Sequence, residues 1–496
     1  MFYPAIGRYG IASRLYIASK LGLDVLSEGG NVFDAAITVS SILSLFIPHT
    51  GGLGGDAFIL GRLNNGEIIA YNGSGRSPKN FPVDFFLENR PLRGGLTISV
   101  PGLVDTWIYI NEEYGSMELS RLLKPAITLG ENGFYPPIQT LKAISLHWDE
   151  LSSFKSWKET YGRFSRGELI RLTRFSNILK MIARYGWDGF YTGKVAERIV
   201  SGLNREGSPI STEDFESHRG MEFKPIKIEY GDSEIYELPP NTQGITTLEI
   251  LRLVDKLGLR GVDRSEDWWN KYFNIAAISY MDRDRYIGDP DYMDIDPEYI
   301  LSRDHLSGYI KILRLGSGDT TFFTLSDKYG NILGFIQSLF HPFGSGIVSE
   351  EIPFQNRLIG FSKVKGLPNS PSPGKRPLHT LSILMAERGD RTYIVGCAGG
   401  DLRPQIHSQV IINILDYGMD VAEAVMAKRN MIVRWGDGKP IDGVSEDKLK
   451  LGYMSNIQYP SRRVGIAYGL MYDMDKRYIE LFSDVRGGGS HLSLNH

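Results

Sequence analysis

One cysteine, Cys397, stands in a chain of 496 residues. A lone thiol excludes an intramolecular disulfide and any cysteine-rich metal site. Excess charge is equally scarce, because 55 Lys and Arg against 58 Asp and Glu leave a net charge of −3. Nothing in that balance points to nucleic acid or to an anionic membrane as a partner. The opening residues, MFYPAIGRYGIASRLYIASKLGLDVL, lack a basic stretch followed by a continuous apolar core. Neither a secretory signal nor a membrane anchor is expected there, and the expected compartment is the cytoplasm. His49 and His407 lack ligand spacing, so no metal is expected, and no other cofactor. What is present is ordinary globular composition, 42% hydrophobic and 23% charged. No internal repeat or long linker divides it, so residues 1–496 are expected to form a single unit.

Helical spacing of Leu15, Ala18, Leu21, Leu23 and Leu26 predicts a helix over residues 13–26. Asn31 is placed to cap a second helix over residues 32–46, which is apolar nearly all round and therefore expected to be buried. Gly51, Gly52, Gly54 and Gly55 follow. Such a run means tight curvature or close approach of another segment. A phosphate cradle is disfavoured, since neither the GxGxxG spacing nor a GK[ST] ending is present. Residues 57–60 and 67–71 read as a hairpin, 119–131 as a helix, and 138–218 as mostly amphipathic helix. Residues 228–238 read as strand–turn–strand and 245–256 as a helix. The carboxylate-rich segment 282–299, DRDRYIGDPDYMDIDPEY, lacks the order of a calcium loop and reads as a solvated loop. Residues 363–375 read as a surface loop, 379–386 and 392–396 as strands, and 405–415 as a helix. The last strands are expected at 465–472 and 478–483. Helices, then paired strands, then helices suit a layered α+β architecture with strands central.

Chemistry concentrates in residues 316–343. A small-residue run, Gly316-Ser317-Gly318, precedes Asp319, Thr320 and Thr321, and two apolar runs flank a turn at Tyr329-Gly330-Asn331. This is a hairpin whose first strand starts at a hydroxyl pair. A threonine hydroxyl is a weak nucleophile unless a base adjoins it, and a threonine at a chain terminus carries that base as its own α-amine. With an ordinary pKa of about 8, the amine needs only a modest shift to act near neutrality. An internal Thr320 gains it only if the Asp319–Thr320 bond is cut. The alternative on these residues alone is an ordinary strand pair, which threonine favours.

Several stretches together resemble the γ-glutamyltranspeptidase family. They are Gly29-Gly30-Asn31 with Asp34-Ala35-Ala36, Pro48-His49 through Gly55, Val100-Pro101-Gly102, and Leu123-Lys124-Pro125-Ala126-Ile127. Asp319-Thr320-Thr321 through Asp327 with Gly330-Asn331, Phe343-Gly344-Ser345-Gly346, Lys375-Arg376-Pro377-Leu378 and Gly399-Gly400 follow in the family's order. The resemblance implies an N-terminal-nucleophile hydrolase: a four-layer αββα sandwich, cut before its nucleophile into subunits that stay together. Here these would be residues 1–319 and 320–496. It implies Thr320 as nucleophile, Ser338 as the hydroxyl that holds the nucleophile's amine, and Gly399 and Gly400 as oxyanion donors. The implied partners are a small amide substrate and water or an amine as acceptor.

The same resemblance exposes departures. Relatives that act on glutathione clamp its α-carboxylate and α-amine. The corresponding positions here fall on Val83, His379, Thr380, Gly360 and Phe340, and the histidine two places after the nucleophile becomes Phe322. An apolar site cannot hold a zwitterion cheaply. Two readings remain open: an amidohydrolase or acyltransferase with an altered substrate, or an uncut, inactive scaffold that binds a metabolite or partner. His379 is expected on the substrate pocket, and Cys397 as a small buried residue.

Overall fold

Alternation along the strands sets the architecture. In the strand Asp56–Arg62, Phe58 and Leu60 join one core while Ile59 joins another; in Thr321–Ser326, Phe322 and Phe323 part the same way. A period of two sends successive side chains to opposite faces, so strands apolar on both faces must be covered on both. The computed structural model describes residues 2–301, 313–314 and 320–495. The run Gly316-Ser317-Gly318 and Asp319 lie outside the described residues.

Two seven-stranded antiparallel sheets stack face to face. The first runs in the order Ser490–Leu494, Tyr9–Ser13, Thr321–Ser326, Ile332–Ser338, Asp56–Arg62, Ile68–Asn72, Met221–Phe223. The second runs Ala5–Gly7, Tyr478–Ser483, Ile466–Asp473, Arg391–Ala398, Leu384–Arg388, Ser233–Glu237, Ile226–Tyr230. Between them lie Phe58, Leu60, Phe322, Ile336, Ile383, Ile394 and Leu470. Helices cover the outer face of the first sheet, led by Val32–Phe46, and those of the second include Gly244–Lys256, Glu266–Tyr286 and Arg403–Leu415. The four-layer αββα arrangement is therefore present.

The helix Val32–Phe46 is buried along nearly its whole length. The Asn31 side chain accepts from the Phe33 and Asp34 amides, and Asp34 accepts in return from the Asn31 amide at 3.0 Å. This reciprocal cap contributes about 1 kcal/mol. The glycine run after it is a close approach rather than a cradle. A Cβ on Gly55 would stand 2.4 Å from the Ser338 carbonyl, and one on Gly54 would stand 2.3 Å from the Pro353 carbonyl.

Three expectations change. Asp282 and Arg283, read as the start of a solvated loop, belong to the 21-residue helix Glu266–Tyr286. Buried Trp268, Trp269, Tyr272 and Phe273 anchor it, and the buried Arg283 guanidinium bonds Gln243, Asp284 and Asp401 at 2.7–2.9 Å. Residues 379–383 run beside Thr242 and Gln243, and the paired strand starts only at Leu384. A small sheet of Asn430–Gly436, Lys439–Ser445, Met454–Asn456 and Leu313–Arg314 had no counterpart in the sequence reading. No helix among the described residues is long and apolar enough to cross a membrane.

Candidate active site

The hairpin of the first sheet brings the hydroxyls together. Strand pairing sets Gln337 opposite Thr321 and Ser338 opposite Asp56. Thr320, just ahead of the strand, is buried, and its Oγ1 donates to Ser338 Oγ at 3.3 Å. Ser338 Oγ also accepts from the Phe340 amide at 2.8 Å. The Arg14 guanidinium donates to the Thr320 carbonyl at 3.3 Å. Thr321 Oγ1 shares a short hydrogen bond with Thr50 Oγ1 from the glycine-rich segment. Thr320 and Ser338 are thus held on one rigid edge by neighbours from three separate segments.

Gly399 and Gly400 end the strand Arg391–Ala398 in the other sheet. Gly400 has φ 53°, a left-handed conformation that glycine adopts without the cost of a Cβ. Neither glycine's N–H has an acceptor among the described residues, while the Gly400 carbonyl is tied to Gln243 Nε2 at 2.9 Å. Phe322 joins the two sheets, because its ring lies where a Cβ on Gly396 would be, at 2.3 Å. An imidazole there would have to enter the apolar layer between the sheets.

The positions where the resemblance led us to expect the glutamate clamp lie in four separate places along the chain. Val83 opens the helix Val83–Asn89 and packs on a cluster of Phe81, Phe86, Leu358 and Phe361. Gly360 ends a single helical turn, where a Cβ would stand 2.8 Å from the Leu378 carbonyl. Thr380 is buried, and its carbonyl accepts from Gln243 and Arg403. Phe340 is held at φ 76°, rare for a bulky residue, with His341 stacked on its ring.

His379 is fully buried. The Leu381 amide donates to its Nδ1 at 3.3 Å, which puts the proton on Nε2 and makes that nitrogen the donor to Asp56 Oδ2 at 3.1 Å. Neither ring nitrogen is left over for a substrate in this arrangement. Burial, with Arg357 and Arg403 nearby, holds the His379 pKa well below its ordinary range. Asp56 moves the other way, pushed up to about 7 by burial against the opposing pull of Arg357 and its hydrogen bonds. Its Oδ1 accepts from Gly75, Gly102 and Gln355.

Asp56, Arg357 and Arg403 had no place in the sequence reading of the site. Arg357 lies fully buried with its guanidinium 4.3 Å above the Phe340 ring. Arg403 is also buried and gives one hydrogen bond, to the Thr380 carbonyl at 2.8 Å. The available signal was a single cation inside the apolar run around Leu358, Ile359 and Phe361.

The γ-glutamyltranspeptidase family model matches residues 18–437. The chain belongs to the γ-glutamyltranspeptidase family. It is 34% identical over 463 residues to the glutathione hydrolase-like YwrD proenzyme of Bacillus subtilis (strain 168), covering 88% of each chain. It is 29% identical to the oxamate amidohydrolase proenzyme of Klebsiella pneumoniae, covering 88% of this chain and 86% of that one. The cephalosporin acylase of Bacillus halodurans superposes with a TM-score of 0.89 at 25% identity, over 100% of this chain and 97% of the other. The fold is that of the N-terminal-nucleophile hydrolases, and the protein is a hydrolase of the γ-glutamyltransferase and acylase type.

Proposed function

We propose that the chain is a proenzyme, cut before Thr320 into residues 1–319 and 320–496, that hydrolyses or transfers the acyl group of a small amide. The observation that carries this is the Thr320–Ser338 hydroxyl contact at 3.3 Å at a strand start. The Gly399-Gly400 turn of the other sheet, with amides unused among the described residues, supports it. Asp319, on the other side of the proposed cut, lies outside the described residues.

In this reading the freed Thr320 amine takes the proton from Oγ1 as the oxygen attacks the amide carbonyl. Ser338 orients that amine. The oxyanion that forms is met by the Gly399 and Gly400 N–H groups, each worth a few kcal/mol in a site closed to water. The intermediate collapses, the C–N bond breaks, and the departing amine leaves with the proton held on the Thr320 ammonium. Water, or an acceptor amine, then attacks the ester carbonyl and gives its proton to the Thr320 amine. The C–Oγ1 bond breaks, Oγ1 takes that proton back, and the acid or new amide leaves.

The acyl group is one that the glutamate clamp does not define. Val83, Gly360 and Phe340 offer no charged partner, and His379 and Thr380 are committed within the protein. An uncut scaffold remains the alternative, but the intact hydroxyl pair and glycine turn argue for chemistry. Incubation with p-nitrophenyl acetate followed by mass spectrometry tests the reading. An acetyl group on Thr320 of the smaller fragment is expected. Ester hydrolysis that persists unchanged in Thr320→Ala would overturn it.

A further inference from the structure

Arg357 is buried without hydrogen bonds that would account for its burial. Its relative exposure is 0%, and none of its Nε, Nη1 and Nη2 atoms has a hydrogen-bond partner among the described residues. Arg403 leaves Nε and Nη2 in the same condition. The carboxylates whose charge reaches Arg357 are those of Asp56 and Asp401. Both are already engaged, Asp56 by His379, Gln355 and two backbone amides, Asp401 by Arg283 at 2.9 Å. A buried cation whose nitrogens make no hydrogen bonds costs stability relative to a fully paired one, and functional sites are where such local costs persist.

Its position names the ligand's place. The guanidinium lies over Phe340, whose amide donates to Ser338 Oγ, which in turn takes the Thr320 hydroxyl. The neighbouring Asn356 amide donates to the Leu339 carbonyl at 3.2 Å, which ties the segment carrying Arg357 to the end of the strand that carries Ser338. Burial lowers the Arg357 pKa to about 9, which leaves it protonated at neutral pH. A planar guanidinium fork matches a carboxylate with two parallel hydrogen bonds. The same charge repels an ammonium in the same space.

We propose that Arg357 is the specificity residue of the Thr320 site and receives the carboxylate of acyl groups that carry one and carry no ammonium, such as monoamides of small dicarboxylic acids. This rests on Thr320 being the nucleophile, as proposed above. Arg403 adds a second positive charge to the same interior and disfavours an ammonium further.

Glutaryl-, γ-glutamyl- and butyryl-p-nitroanilide separate the possibilities, since they share a chain length and differ in carboxylate and ammonium. The wild type is expected to favour the glutaryl compound over both others in kcat/KM. Arg357→Gln should lower the glutaryl-to-butyryl ratio about a hundredfold, mainly through KM, and Arg357→Lys should recover part of it. Equal losses on both compounds, or a wild type that prefers the γ-glutamyl or butyryl compound, overturn the proposal. If no anilide is turned over, the nucleophile reading is what has failed, and calorimetry still decides this one. Glutarate should bind the wild-type protein and fail to bind Arg357→Gln; equal binding, or none to either, refutes it. A third readout excludes a merely structural role: Arg357→Met should raise the melting temperature of ligand-free protein, and a fall assigns Arg357 to holding the fold and overturns the proposal.

Discussion

Around Thr320 the polar groups are paired, with Ser338 taking its hydroxyl and the Phe340 amide steadying Ser338. Around Arg357, on the far side of the Phe340 ring, a full charge lies buried with its nitrogens unmatched among the described residues. The first region spends its hydrogen bonds internally and so holds one geometry, as bond-making requires. The second leaves its bonding capacity unused and so depends on what enters. On the readings proposed above, reaction and selection are built by opposite means, and each can be changed alone.

The largest effect should come from the first region. Thr320→Ala is expected to abolish chain cutting and to reduce turnover of every acyl compound by ~10⁴-fold or more. Turnover retained for any one acyl class would break the comparison, since it would give that class a separate nucleophile. Ser338→Ala should cost about 10- to 100-fold in kcat. The factor should be the same for carboxylated and uncharged acyl groups, because Ser338 touches Thr320 and not the acyl end. Progress curves on two anilides check this, and a factor that depends on the acyl group would merge the two regions.

Asp56 belongs to both regions, opposite Ser338 in the sheet and within the electrostatic reach of Arg357. Its folded pKa is raised from the ordinary 3.8 to about 7. The folded state therefore binds a proton more tightly than the unfolded chain does. The resulting stability is fully present below the unfolded value and is lost as pH rises through about 7. Asp56→Asn cannot titrate, so its stability should lose the part of the slope between those values that the wild type shows, a difference of a few kcal/mol across the window. Urea unfolding at a series of pH values measures it. Parallel curves for the two proteins would show that Asp56 stays charged throughout.

Smallest is the support that lies outside the comparison. Asn31→Ala should cost about 1 kcal/mol through the lost cap of Val32–Phe46. Both kinetic ratios should stay as they are.

The hairpin that carries Thr320 was legible from its two apolar runs and turn, while Ser338 was singled out only by the family resemblance; the structure puts the two hydroxyls 3.3 Å apart. Thr320 and Ser338 fall at the two ends of one hairpin, and a turn at Gly330-Asn331 sets their register. A layered α+β architecture with central strands was legible from the pattern, and its four-layer order came with the resemblance. Strands such as Ile332–Ser338 are buried on both faces, as that order requires. Arg357 was not, because a lone cation in a loop ordinarily points to water, and only tertiary packing shows that this one does not. The helix Glu266–Tyr286 was obscured in a similar way. Its last turns carry Asp282, Arg283 and Asp284, and the Arg283 charge is met inside the fold by Gln243 and Asp401, far along the chain. His379 was expected on the pocket from the family resemblance, whereas Asp56, on a strand far along the chain, accepts its Nε2 hydrogen bond.

The central claim is that an internal threonine becomes a chain terminus and thereby acquires its own base. N-terminal sequencing of the purified wild-type protein, with intact masses of its polypeptides, tests that directly. Two polypeptides are predicted, the smaller beginning Thr320-Thr321-Phe322. An active preparation in which the chain runs unbroken through Thr320 would contradict the account.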